Sequence, residues 1–111
     1  MAAKCALHYF AGQPFFEETK MKKLKYCVYV LHSLKDNKQY IGYTTNLKRR
    51  LTEHFGGRNI STKNRRPFIL LFCEYYLSEN DAKRREKYFK TTIGKRVLRL
   101  MLKNSFEELE K

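Results

Sequence analysis

At 111 residues, of which 42% are hydrophobic and 14% aromatic, the chain holds material for one folded domain with one modest core. Its 24 Lys and Arg against 11 Asp and Glu give a formal charge of +13, beyond the magnitude of about 2 to 8 that solubility asks of a small domain, so a polyanionic partner is expected, nucleic acid ahead of an anionic membrane surface. No apolar run approaches the roughly 18 residues of a membrane span and no secretory signal is visible, so no membrane role and a cytoplasmic location are expected.

Residues 1–20 show neither clear periodicity nor the charge pattern of the rest. They read as an N-terminal extension, with Met21 as a candidate natural start and 21–111 as the domain. Cys5, Cys27 and Cys73 form no CxxC pair, and the last two lie in apolar runs where a thiol acts as a small hydrophobe. Neither a zinc site nor a disulfide framework is indicated.

From Tyr26 the pattern is extended: YCVYVLH is β-branched and aromatic, Asp36 and Asn37 supply a turn, and QYIGYT returns, which predicts a β-hairpin. Asn46 caps a predicted helix through NLKRRLTEHF, with Leu47, Leu51 and His54 on one face, and Gly56 and Gly57 stop it. The basic segment 58–66 is a predicted loop, closed by Pro67 before FILLFCEYY, a strand apolar enough to be central. Ser78 and Asp81 predict a capping box for a helix over 78–93, and Gly94 separates it from a last helical stretch over 95–111.

Candidate chemistry comes from residues that sit where packing alone does not require them. Strand alternation puts Tyr29 on one face with Cys27 and Leu31, and Tyr40 on one face with Gly42. Each tyrosine alone reads as sheet packing, since tyrosine is common in strands. Arg50 and His54, at i and i+4, place a cation and an imidazole beside the stripe of Leu47 and Leu51, while Lys48 and Arg49 point outward.

Glu86 falls amid Ala82, Phe89 and Ile93 on an apolar stripe, so it either meets a cation such as Arg50 or faces a pocket and binds a metal; both readings stand. Other acids are scarce near this core. Paired metal ions about 4 Å apart need several converging carboxylates, so one ion is the economical expectation.

Taken together, Cys27-Val28-Tyr29, Tyr40-Ile41-Gly42, Arg50 eight residues after that glycine, His54 four further on, and Glu86 on a later helix resemble the GIY-YIG nucleases over roughly residues 25–100. The chain looks most similar to small stand-alone domains related to the amino-terminal nuclease of the bacterial excision-repair incision subunit. The resemblance implies an α/β fold, a three-stranded antiparallel sheet flanked by about three helices, and a metal-dependent endonuclease acting on DNA, with repair as one setting. It implies that Glu86 ligates one Mg²⁺ or Mn²⁺, that Arg50 grips the phosphate, and that Tyr29, acidified by nearby cations, takes a proton from the attacking water while Tyr40 and His54 position it. Whether Tyr29 or His54 is the general base is left open.

Two departures from the family pattern stand out. Cys27 and Val28 replace glycine and isoleucine, and His32 stands three after Tyr29 where many relatives carry lysine, which predicts a raised pH optimum. His32 and Tyr43 are auxiliary candidates. Lys48, Arg49, Lys63, Arg65 and Arg66 are candidate phosphate contacts, with branched or damaged DNA as the partner and a protein partner or homodimer for targeting. The competing readings are a catalytically silent nucleic-acid-binding module, against which retention of all five motif side chains argues, and an RNA-associated structural protein, which gives Glu86 no reason to lie on an apolar stripe.

Overall fold

The β-branched and aromatic run Tyr26–Ser33 forms strand β1, buried at every position after Tyr26. It does so in a computed structural model that describes residues 23–111; the expectations for residues 1–20, Cys5 and Met21 lie outside the described residues. After β1, Asn37 takes a left-handed φ of 58° and Asp36 accepts a hydrogen bond from the Lys38 amide at 2.9 Å. Strand β2, Gln39–Thr44, then returns antiparallel, setting Tyr29 opposite Gly42 and Leu31 opposite Tyr40.

Helix α1, Leu47–Phe55, begins where the Asn46 side chain accepts from the Arg49 amide at 3.0 Å, and ends at Gly56 with Gly57 at φ 78°. The basic loop that follows contains one 3₁₀ turn, Lys63–Arg65, tied to the hairpin by Ser33 Oγ donating to the Arg65 carbonyl at 2.6 Å. Strand β3, Phe68–Tyr76, and helices α2, Glu79–Phe89, α3, Thr92–Met101, and α4, Lys103–Leu109, complete the described residues. This is the α/β arrangement expected: a three-stranded antiparallel sheet flanked by helices, four rather than three.

Three features differ from expectation. The sheet order is β2-β1-β3, so β3 is an edge strand and β1 is central. Apolar content misled here, because β3 is only half-buried while β1 gains cover from both neighbours and both faces. Ser78 stands at the N-cap of α2, but its side chain caps nothing and Asp81 pairs with Arg84 at 2.9 Å instead. Helix α2 stops at Phe89, because Thr91 Oγ1 accepts from the Gly94 amide at 2.9 Å and starts α3 within the stretch expected to continue α2. Gly94 therefore lies inside a helix, where a Cβ would collide with the Tyr88 carbonyl, and Ile93 is left 64% exposed.

The sheet has a core on each face. Val28, Val30 and Ile41 pack on Ala82 and Phe89 of α2, Leu98 of α3 and Leu102. Cys27, Tyr29, Leu31 and Phe68 form the other, covered by Leu47 and Leu51 of α1 with Tyr40 and Leu70. Each fully buried Val, Leu or Phe stabilises by about 1.5–3 kcal/mol, so β1, contributing to both cores, anchors the domain. Burial pushes the Cys27 thiol up to about 11, which keeps it an inert packing group.

Candidate active site

Alternation along β1 aims Tyr29 into the α1 side of the sheet, where its ring is fully buried. The ring lies across Gly42 of β2: a Cβ there would come to 2.8 Å of Tyr29 Cε1 and closer still to Cζ and Oη. Glycine at this strand position is therefore a steric requirement of the tyrosine. Tyr40, two residues before Gly42 on the same face, sets its ring 6.3 Å from that of Tyr29 and 5.0 Å from that of His54.

Helix α1 supplies His54, also fully buried. Its Nε2 lies 2.8 Å from Tyr29 Oη and its Nδ1 lies 2.7 Å from Thr62 Oγ1. The tautomer assigned from this network has Tyr29 donating to Nε2 and Nδ1–H donating to Thr62, whose hydroxyl points on to the Asn59 carbonyl at 3.5 Å. Burial first, then the charge of Arg50, lowers the His54 pKa from its ordinary 6.5, so the imidazole is neutral near pH 7.

Arg50, one turn earlier, has its Nε 3.3 Å from Glu53 Oε1, too poorly aligned for a hydrogen bond. That buried N–H has no hydrogen-bond partner among the described residues. A desolvated guanidinium N–H without an acceptor suits an incoming anion. Arg50 also acts on Tyr29, pulling the phenol pKa down, but burial and then Tyr40 push it up harder. Tyr29 is thus held above the ordinary tyrosine value, the reverse of the acidification expected, because desolvation outweighs the neighbouring cation.

Glu86 stands on α2, and its charge adds a minor upward push to the pKa of both Tyr29 and Tyr43, which lie on opposite faces of the sheet. Its side chain is 23% exposed, and the cation it meets is Lys90, whose Nζ donates to Oε2 at 3.1 Å, rather than Arg50. Tyr29, Tyr40 and His54 thus gather on the α1 face of the sheet, with Arg50 one turn before His54, while Glu86 is tied to its neighbour Lys90 on α2.

The auxiliary candidates do not join them. His32 lies on the other face, its Nδ1 2.9 Å from Gln39 Nε2 and its ring against Phe106, so it does not tune Tyr29. Tyr43 also faces away, donating to Glu79 Oε2 at 2.8 Å, and burial with that bond pushes its phenol up to about 12.

Among the loop and helix cations, Lys48, Arg49, Lys63 and Arg66 are exposed. Arg65 is instead occupied by Asp36 at 2.9 Å and by the Phe68 ring. Sequence reasoning missed Thr62: it sits in a polar loop, and nothing local distinguishes it from Ser61 until the loop folds back over α1.

A family model of the GIY-YIG catalytic domain matches residues 25–99, a span that begins before β1 and ends within α3. The chain belongs to the GIY-YIG family. Its GIY-YIG domain is 38% identical over 78 residues to a UPF0213 protein of Staphylococcus haemolyticus, covering 69% of this chain and 94% of that one. A UPF0213 protein of Limosilactobacillus reuteri is 33% identical over 93 residues, covering 81% and 96% respectively. The UPF0213 protein YazA of Bacillus subtilis is 40% identical over 63 residues, covering 56% and 64%. No solved structure matches this GIY-YIG chain. None of its helices in the described residues is long and apolar enough to cross a membrane.

Proposed function

We propose that the chain is a metal-dependent endonuclease that hydrolyses DNA phosphodiester bonds, directed at branched or damaged DNA in repair. The observation that carries this is the buried chain from Tyr29 through His54 to Thr62, at 2.8 and 2.7 Å, beside an Arg50 N–H without an acceptor. A purely structural sheet face needs none of these groups.

Among the described residues no group of three or more His, Cys, Asp and Glu side chains gathers to hold a metal ion. The protein's donor is then the Glu86 carboxylate, with water and phosphate oxygens completing the set. Such hard oxygen donors fit one Mg²⁺ or Mn²⁺ that keeps most of its waters. When bound, the ion supplies a Lewis acid that polarises the phosphate and offsets charge on the leaving 3′ oxygen.

The remaining work falls to the chain's own side chains. Arg50 binds a non-bridging phosphate oxygen and fixes the phosphorus in line. Tyr40 orients the attacking water. As the water oxygen bonds to phosphorus, its proton passes to Tyr29 Oη while the Tyr29 proton passes to His54 Nε2. Tyr29 therefore acts without ever standing as a free phenolate, which its raised pKa disfavours. The P–O3′ bond breaks, the 3′ oxygen takes a proton from solvent, and His54 returns its proton to the bulk. Both residues left open as the base share the role.

The test is cleavage of plain, nicked, flap and branched DNA, and of RNA, by wild type and Glu86→Ala, with Mg²⁺ or with chelator, and binding measured in parallel. Wild type is expected to cut DNA only with metal, and Glu86→Ala to bind but not cut. Glu86→Ala cutting at the wild-type rate refutes the metal role; binding of every substrate with no cleavage by wild type shows a silent binding module.

A further inference from the structure

Beyond the site already described, the described residues hold a second concentration of charge. A cavity of about 410 Å³ lies where the hairpin, the 3₁₀ turn and α3 meet, and four cations converge on it: Lys38, Arg65, Lys95 and Arg99. Ile41 and Leu98, both almost fully buried, give it an apolar floor. Among the described residues no carboxylate lines it. Lys95 and Arg99, at i and i+4 on α3, present their charges on one helix face.

Two of these cations are held in place from behind. Arg65 is fixed by Asp36 at 2.9 Å and by the Gln39 carbonyl at 3.4 Å, and Arg99 lies over the Phe106 ring at 4.8 Å. Asp36 is the acid in contact with the group; among the described residues Lys38, Lys95 and Arg99 make no ion pair. Three cations without an ion pair, Lys38, Lys95 and Arg99, repel one another around one concavity beside the Asp36-paired Arg65, and an anion in the cavity relieves that repulsion.

The cavity's position identifies the anion. Strand β2 is an edge strand, and it carries both Tyr40 and Gly42 of the candidate active site and Gln39 and Ile41 of the cavity, on opposite faces. Gln39 and Ile41 alternate with Tyr40 and Gly42 along β2, so the cavity and the candidate active site lie on the two sides of one free sheet edge. A strand cut at Tyr29 can therefore pass round the free edge of β2 and reach the cavity. Resting on the nuclease reading above, we infer that this cavity is a phosphate-binding subsite that seats a backbone phosphodiester of the cleaved strand across that edge from the cut. It adds Lys38, Lys95 and Arg99 to the DNA-binding surface, and it makes productive binding require a strand that bends round a sheet edge.

The experiment measures binding of fluorescein-labelled duplex and flap DNA to the full chain over a salt series in chelator, so that binding is read without cleavage. Lys95→Gln/Arg99→Gln is compared with wild type and with Arg96→Gln/Lys103→Gln, which removes equal charge outside the cavity. The cavity variant is expected to weaken binding at least tenfold and to make the slope of log K against log salt shallower by about 1 to 2. It is also expected to raise KM for cleavage in Mg²⁺ with kcat changed far less, and melting curves check that each variant folds. A slope and affinity that fall no further than in the control pair overturn the subsite even if wild type cleaves DNA. Wild type that binds the DNA but never cleaves it overturns the nuclease reading and leaves the subsite standing on the slope alone. Wild type that binds no DNA overturns both.

Discussion

Tyr29 Oη and His54 Nε2 lie 2.8 Å apart with both side chains fully buried. A phenol kept above its ordinary pKa and an imidazole kept below its own form a pair in which the proton rests on the tyrosine and has a ready acceptor.

Removing either partner separates chemistry from binding. Tyr29→Phe is expected to lower kcat by about 10²–10⁴, the usual worth of positioned proton transfer, with DNA affinity unchanged. His54→Gln should cost less than Tyr29→Phe if Tyr29 can still pass its proton to water. Single-turnover cleavage with binding by anisotropy checks both, and a Tyr29→Phe enzyme within a few-fold of wild type sinks the relay.

The pH dependence follows from the same two shifts. His54 must be neutral to accept a proton, and its folded pKa lies below 6.5, so cleavage should rise with pH along a limb centred below 6.5. For stability the sign is fixed by proton counting. Below pH 6.5 the unfolded chain binds a proton on His54 that the folded chain refuses, so stability falls as pH drops from 6.5 to the folded pKa. Above pH 10 the unfolded Tyr29 ionises while the folded one does not, so stability falls again. Melting temperature against pH checks this, and His54→Gln should flatten the acid side.

Thr62→Val keeps the shape of the side chain but leaves His54 Nδ1–H without an acceptor. The expected cost is about 1–3 kcal/mol of stability and at least roughly a tenfold loss in kcat, part of what positioned proton transfer contributes. Thr62→Ser, which keeps the hydroxyl, should recover most of both. Damage from Thr62→Ser with none from Thr62→Val would show that the methyl group matters and the hydroxyl does not.

Gly42→Ala inserts a methyl group into the space of the Tyr29 ring. Overpacking of this kind costs about 1–3 kcal/mol, and the displaced phenol should lose its 2.8 Å contact with His54, so activity should fall nearly as far as in Tyr29→Phe. Adding Gly42→Ala to Tyr29→Phe should then cost little further rate, since groups acting as a unit are not additive.

Much of this was legible in the sequence, and the part that was not has a physical reason. The hairpin, the Asn46 cap and the Gly56-Gly57 stop are local signals, written in residues that touch their chain neighbours. Strand alternation and the i, i+4 rule give faces to Tyr29, Tyr40, Arg50 and His54 one by one, but only the resemblance to the GIY-YIG nucleases joins them with Glu86 into one expected site. Thr62 and Lys90 were invisible as partners: a loop threonine becomes a ligand of the imidazole only when residues 58–66 close over α1. The edge position of β3 was misread because apolar content reports burial in general, whereas strand order depends on which neighbours supply it. The break expected at Gly94 falls earlier, at Lys90 and Thr91, because the Thr91 side chain caps the next helix and Gly94 is drawn into it.

Strand β1 is paired along both edges, Tyr29 facing Gly42 on one side and Cys73 on the other. Its amide can exchange with deuterium only when the whole sheet comes apart, while those of the 58–66 loop open by themselves. The proton-accepting end of the relay is therefore fastened to the segment slowest to breathe, and its far end to a quick one. Motions that loosen Thr62 can change the imidazole's poise without disturbing the phenol.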